Sequence, residues 1–235
     1  MTFVQLIECR TSRLDEMNRL MDDWVAQTRG KRTATHALVG KDRSDASHIV
    51  EVVEFPSYEE AMRNSNLPET DKIFQGMVAL CEEMPTFIDL DVVRDERLAE
   101  DTVRRFLDAL MTPGELPPLN DLLDEDIHSH DPMNPQDTLG LDNFRAEVRM
   151  WRDAFDFAFT VEDVFTQGDE ACARWTWNAT HKGDFLGIAP TGKQVAMTGM
   201  TVFRFTDHGK IAETWWQHDT LELMRQLGAL DELEQ

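Results

Sequence analysis

At 235 residues the chain has room for one large domain or two modest ones, each able to bury a core. Its 45 acidic against 23 basic residues give a formal charge of −22, divided as −8 up to Glu100 (12 basic, 20 acidic) and −14 after it (11 basic, 25 acidic). Neither half has the basic surplus that a phosphate backbone or an anionic membrane surface requires, so neither nucleic acid nor membrane is an expected partner. Cys9, Cys81 and Cys172 have no short spacing and read as reduced thiols rather than a disulfide frame or metal site. No apolar run approaches membrane-spanning length, and residues 1–8 lack the basic and apolar regions of a signal peptide, so the expected compartment is the cytoplasm.

Taken in order, residues 3–9 alternate as a strand. Residues 13–27 follow with Leu14, Met17, Leu20, Met21, Trp24 and Val25 at helical spacing, and Ser12 stands where a cap belongs. Residues 31–41 and 48–55 read as two more strands joined by a polar turn. A short helix starts at Ser57, a second follows Pro68, and residues 86–93 are the last strand. The order β-α-β-β-α-β is that of a ferredoxin-like unit, which we place at residues 1–95.

The run Val52-Val53-Glu54-Phe55-Pro56-Ser57-Tyr58-Glu59-Glu60-Ala61-Met62 is similar to the strand-then-S-x-E-A signature of antibiotic-biosynthesis-monooxygenase-like domains. The resemblance implies a dimeric α+β barrel in which the sheets of two chains pair, and hence a homodimer. Some relatives of that fold oxidise aromatic polyketides without a cofactor. Here His36 and His48 are single strand histidines, a type more often packed than catalytic. Trp24 is the only tryptophan of this half and belongs to a helix, so no strand tryptophan marks an oxygenation pocket. Dimerisation or sensing is the expected role of this half, with oxygenation a weaker alternative.

The second unit is placed at residues 96–235. Residues 99–111 form a helix with Val103, Phe106, Leu107 and Leu110 on one face. A short helix is expected at 119–123, a strand at 126–130, and a helix at 141–155 carrying Phe144, Val148, Trp151 and Phe155. Strands follow at about 157–166, 170–181, 195–206 and 210–219, and a helix at 221–227 ends at Gly228.

The segment Thr180-His181-Lys182-Gly183-Asp184-Phe185-Leu186-Gly187-Ile188-Ala189-Pro190-Thr191-Gly192-Lys193 closely resembles the GTH-x-G-x-F-x-G-I-x-PTG hallmark of SnoaL-like polyketide cyclases. These have the NTF2-like, ketosteroid-isomerase-like cone, a curved antiparallel sheet whose apolar cavity is capped by helices. The whole chain is thus expected to be α+β, a ferredoxin-like domain followed by a SnoaL-like cone. The resemblance also implies a pocket-facing H-D-P element, which His130-Asp131-Pro132 matches. It implies a catalytic Asp on the last strand, six residues past the Lys of the Gly209-Lys210 turn, and a partner His on the preceding strand. Those positions hold Trp216 and Val202, so the family's aldol cyclisation chemistry is not expected in its usual form.

Two constellations remain. His128 and His130 share one face of a strand and could share a metal with His218 or Asp219, but a complete ligand set does not assemble from spacing, so no metal and no cofactor is expected. In Trp215-Trp216-Gln217-His218-Asp219, alternation puts Trp215, Gln217 and Asp219 on one face and Trp216 and His218 on the other. Asp219 is either a desolvated acid among indoles or the cap of the following helix. The leading expectation is a small apolar or aromatic, polyketide-like ligand held by Trp151, Phe155, Trp177, Trp215, Trp216 and Val202. In the catalytic version His130 is acid/base and Asp219 or His218 a relay. The alternative is a binder without turnover.

Overall fold

Side chains two apart on a strand point the same way, so the alternating runs of the first unit become an amphipathic sheet with helices on one face. In the computed structural model, which describes residues 2–112 and 114–230, that unit spans residues 1–95 and a second spans 96–235. Strands β1 (Phe3–Arg10), β2 (His36–Lys41), β3 (His48–Phe55) and β4 (Thr86–Asp91) lie in the order β2-β3-β1-β4, each neighbouring pair antiparallel. Ile49, Glu51, Val53 and Phe55 of β3 are buried. Helices α1 (Leu14–Gln27), α2 (Tyr58–Ser65) and α3 (Pro68–Leu80) complete the unit, and Phe3, Met17, Ile49, Val53, Phe55, Ala61 and Met77 belong to its two apolar clusters.

Two local expectations fail here. Ser12 does not cap α1; the Thr11 hydroxyl instead accepts from the Arg13 N–H at 3.0 Å and donates to the Leu80 carbonyl at 2.7 Å, tying the helix start to the end of α3. The second strand begins at His36 rather than residue 31, because the N–H groups of Lys31 and Arg32 are spent on the Thr28 carbonyl after α1. Ser57 does cap α2, its hydroxyl accepting from the Glu60 N–H at 3.3 Å.

The second unit opens with α4 (Leu98–Met111), followed by β5 (Leu123–His130), β6 (Thr138–Leu139) and α5 (Leu141–Ala154). Long strands β7 (Phe155–Gln167), β8 (Glu170–His181), β9 (Gln194–Phe205) and β10 (Ile211–His218) lead to α6 (Thr220–Leu227). The sheet runs β6-β5-β10-β9-β8-β7 and is antiparallel except for β5 against β10, which are parallel. No helix forms at 119–123. The N–H groups of Leu122 and Leu123 turn back once onto the Leu119 carbonyl, and Leu123 then enters β5 opposite Ile211.

Two glycines explain how this sheet accepts so much aromatic surface. A Cβ on Gly183, in the loop after β8, would stand 2.2 Å from the Asp153 carbonyl oxygen, so only glycine lets this loop close on the end of α5. A Cβ on Gly199 would meet the Trp175 ring and the Gln217 carbonyl, both at 2.5 Å; its absence leaves the indole a flat seat. Among the described residues, no helix is long and apolar enough to cross a membrane.

Candidate functional site

The inward face of the second sheet is set by period two. On β8, Ala171, Ala173, Trp175, Trp177, Ala179 and His181 are all buried. On β10 a bulge between Ile211 and Glu213 shifts the alternation. Past it, Trp216 and His218 face inward, while Glu213 and Trp215 lie on the outer face. The inner face and helices α4 and α5 surround a cavity of about 60 Å³ walled by Phe144, Trp151, Trp175, Trp177, Trp216 and Met197, among others. The rings brace one another edge to face, Trp151 on Trp177 at 6.0 Å and Trp175 on Trp216 at 6.1 Å. The Trp175 indole N–H is satisfied by the Thr201 hydroxyl at 2.9 Å.

Three polar side chains reach this apolar wall: Asp131, Glu147 and His218. His218 Nε2 lies 3.2 Å from Asp131 Oδ1, with only 3% and 7% of the two side chains exposed. The His218 Nδ1 is engaged by the Thr220 hydroxyl at 3.2 Å, and Asp131 Oδ1 also accepts from the Met133 N–H at 2.8 Å. With both nitrogens occupied, the imidazole is fixed in orientation. Glu147 Oε1 accepts from the Asn134 amide at 2.9 Å, whereas its Oε2 is buried and has no hydrogen-bond partner among the described residues. Burial first, and then the negative charge of Asp131, raise the Glu147 pKa. The arrangement places a carboxyl that resists ionisation near an imidazole-held carboxylate inside a ring of indoles.

The expected site residues divide. His218, Trp151, Trp177 and Trp216 line the cavity. Phe155 is buried behind two of them, 5.8 Å from Trp151 and 5.2 Å from Trp177, ring centre to ring centre. His130 does not face the cavity. It is on the outer face of β5, because its neighbour Ser129 turns inward to accept from the buried Thr214 hydroxyl at 3.0 Å. Trp215 is outward too, paired across strands with Val202, so neither touches the cavity. Asp219 is the cap of α6: its Oδ1 accepts from the Glu222 N–H at 3.0 Å.

Two cavity residues escaped the sequence reading as site groups. Asp131 was visible within His130-Asp131-Pro132, but the histidine drew the assignment. Glu147 had a signal that went unused: it lies three residues after Phe144 and four before Trp151, on the apolar stripe of α5.

Outside the cavity, four ionisable groups of the β5–β10 region converge. The His128 and His130 rings are 4.0 Å apart, centre to centre. On one side, Glu213 Oε1 lies 2.8 Å from His130 Nε2 and 3.8 Å from His128 Nδ1. On the other, Asp137 Oδ2 lies 2.9 Å from His128 Nε2 and 3.0 Å from His130 Nδ1. Hydrogen bonding to His128 is the main cause holding the Asp137 pKa below the usual carboxylate range. Of these, His128, His130 and Glu213 could hold a metal ion.

The first unit has a larger cavity, of about 330 Å³, between its helices and sheet, lined by Trp24, Phe55, Phe74, Phe87, Asn64 and Glu51, among others. The Trp24 indole N–H is bonded to the Thr70 hydroxyl at 3.1 Å. A tryptophan thus reaches a pocket from the helix, although no strand carries one. Burial alone pushes Glu51 up to about 7.

Comparisons with known proteins agree with the geometry of the second unit. Residues 101–227 match the family model of the SnoaL-like polyketide cyclases. Among solved structures, a candidate SnoaL-like polyketide cyclase from Jannaschia sp. CCS1 aligns with TM-score 0.53 and 24% identity, over 60% of this chain and 98% of that one. TsrD from Streptomyces laurentii aligns with TM-score 0.50 and 29% identity, over 58% and 99% of the two chains. A candidate polyketide cyclase from Acidithiobacillus ferrooxidans gives 0.51 and 27%, over 58% and 99%. No curated protein matches the chain. With more than half of its length matched by the model and the cone's cavity in place, the chain belongs to the SnoaL-like polyketide cyclase family.

Proposed function

We propose that the C-terminal unit binds a small aromatic or polyketide-like ring compound in its cavity and moves a proton on it. The observation that carries this is the buried Oε2 of Glu147, unpartnered among the described residues, beside the His218-held Asp131, all within one wall of indole rings. Burial favours the protonated form of Glu147, the form that donates a hydrogen bond to a substrate carbonyl. Asp131, fixed at Oδ1 by His218 and the Met133 N–H, takes the proton from the adjacent carbon through its other oxygen. This replaces the strand Asp and His of the family pattern with a different set of groups. At about 60 Å³ the cavity is smaller than the ~150 Å³ apolar cavity that admits benzene, so a ring enters as Trp151 or Trp216 moves aside.

The test is proton–deuterium exchange at the carbon next to the carbonyl of small aromatic ketones, followed by NMR, with binding read from tryptophan fluorescence. Glu147→Gln and Asp131→Asn are expected to slow exchange by about 100-fold or more. Binding without exchange in the unaltered protein removes catalysis and leaves the non-enzymatic binder.

A second reading is favoured by the N-terminal cavity. It is lined by Trp24, Phe55, Phe74 and Phe87 and has one buried acid, a setting for an electron-rich aromatic compound and for the cofactor-independent oxygenation of the monooxygenase-like domains. The strand order β2-β3-β1-β4 supports a ferredoxin-like assignment for this unit. The sheet face bearing Leu6, Val52, Leu38, Ile88 and Leu90 supports a homodimer, with Leu38 58%, Ile88 38% and Leu90 41% exposed. Sedimentation should give a dimer that Leu38→Glu with Ile88→Glu splits into monomers.

A further inference from the structure

We propose that His128, His130 and Glu213 bind a divalent transition-metal ion of the zinc class on the outer face of the C-terminal sheet, with Asp137 orienting both imidazoles. The site is separate from the cavity chemistry and does not rest on it.

The geometry begins with the strand period. His128 and His130, two apart on β5, lie on one face, and the parallel pairing sets Glu213 of β10 opposite His128. One ligand atom from each of the three side chains lies within 4.8 Å of the other two. Metal bonds of about 2.0–2.1 Å in a tetrahedral site set ligand atoms about 3.3 Å apart, between the 2.8 and 3.8 Å from Glu213 Oε1 to His130 Nε2 and His128 Nδ1. Small side-chain adjustments therefore complete the triangle.

The back side of the rings supplies the second observation. His128 Nε2 and His130 Nδ1 both meet Asp137 Oδ2, at 2.9 and 3.0 Å. Histidines that ligate a metal usually donate their other N–H to a carboxylate, which fixes the tautomer and strengthens the ligand. Here one carboxylate serves both rings. Without an ion the proton count is awkward. His130 has a carboxylate oxygen near each nitrogen, Glu213 Oε1 at 2.8 Å and Asp137 Oδ2 at 3.0 Å, yet a neutral imidazole carries a single N–H. Satisfying both of its contacts with protons requires an imidazolium at His130, 4.0 Å from the His128 ring and next to the Arg204 guanidinium that holds Glu213 Oε2. A metal on the Glu213 side lets both neutral rings donate to Asp137 and point their lone pairs at the ion.

The ligands are also held in advance. The Glu213 side chain is 10% exposed, and Arg204 occupies its second oxygen, leaving Oε1 for the ion. Arg204 lies over the Trp215 ring at 5.6 Å, and Trp215 stacks on His130 at 5.3 Å and 8°. The side chains of His128 and Asp137 are 36% and 50% exposed, so solvent reaches the site and water can take the fourth position. Two imidazoles, one carboxylate and water suit zinc or cobalt over calcium or magnesium, which take oxygen ligands.

The test uses the full chain, stripped with chelator and titrated with zinc by calorimetry and with cobalt by visible absorption. One ion per chain with a tetrahedral cobalt spectrum is expected. His128→Gln with His130→Gln should remove that ion while circular dichroism and cavity binding persist. Asp137→Asn, a change on an exposed side chain, should weaken binding by about 10-fold or more while leaving the stoichiometry at one. Absence of a tetrahedral cobalt spectrum in the unaltered protein, or a stoichiometry that the double variant leaves unchanged, overturns the proposal.

Discussion

The two cavities of this protein are built on opposite plans. The C-terminal one is small, walled by interlocking indoles, and its acids are held in pairs: Asp131 with His218, Glu147 with Asn134. The N-terminal one is more than five times larger, about 330 against 60 Å³, and burial alone acts on its acid, Glu51. The difference teaches that volume and chemistry are separate achievements of a fold. A roomy apolar pocket with one desolvated group is suited to holding a ligand. A tight pocket whose polar groups are oriented by neighbours is suited to acting on one.

The comparison can be broken first by truncation. Phe155→Ala, in the filled core behind Trp151, is expected to cost about 3–5 kcal/mol in urea unfolding, whereas Phe74→Ala, on the wall of the existing N-terminal void, should cost about 1–2 kcal/mol. Equal costs would mean that the N-terminal cavity is as well packed as the core.

The next largest effect is pH-dependent. Glu51 has its folded pKa raised from 4.5 to about 7, so the stability of its protonated form is fully present below about pH 4.5 and is lost as pH rises through 7. Glu51→Gln should therefore stabilise the first unit by up to about 3 kcal/mol at pH 8, relative to its effect at pH 4. A gain independent of pH would show that Glu51 is not desolvated. Gly199→Ala follows, at about 1–3 kcal/mol, because the new methyl collides with Trp175, and it should weaken ligand binding in the C-terminal cavity as the indole is displaced. The smallest change is Asp219→Ala, about 1 kcal/mol from the lost α6 cap, with ligand binding and exchange intact. Loss of exchange in that variant would return Asp219 to the site.

Much of the second unit was legible because its signals are periodic and redundant. Trp175 and Trp177 share a face by simple alternation, and the loop from Thr180 to Lys193 carries a long motif whose Gly183 has no steric substitute. What stayed hidden depends on single-residue events. Alternation divided β10 into the right two sets, yet nothing in Trp215-Trp216-Gln217-His218 says which set is inward. The bulge at Ala212 decides which face Glu213 and the residues after it present. His130 was assigned to the cavity by its place in a motif, while the buried Ser129–Thr214 bond turns it outward. Glu147 reads as a solvated helix residue until α5 is packed against the sheet. In the first unit the succession of strands and helices along the chain could be anticipated, but a void between helices and sheet leaves no trace in periodicity, since its walls are the same apolar residues that would fill it.

The parallel pairing of β5 with β10 also has a kinetic meaning. Asp131 and His218 are 87 residues apart, and His130 and Glu213 are 83 apart, so both clusters exist only after the last strand has docked beside β5, the first strand of its unit. Closing so long a loop is entropically costly, and contacts of this separation slow folding. During synthesis Trp151, Trp175, Trp177 and the loop motif emerge before β10, the strand that completes both ionisable clusters. A ligand or metal that selects these clusters binds only the finished unit, and its uptake after dilution from urea is a clock for the docking of β10.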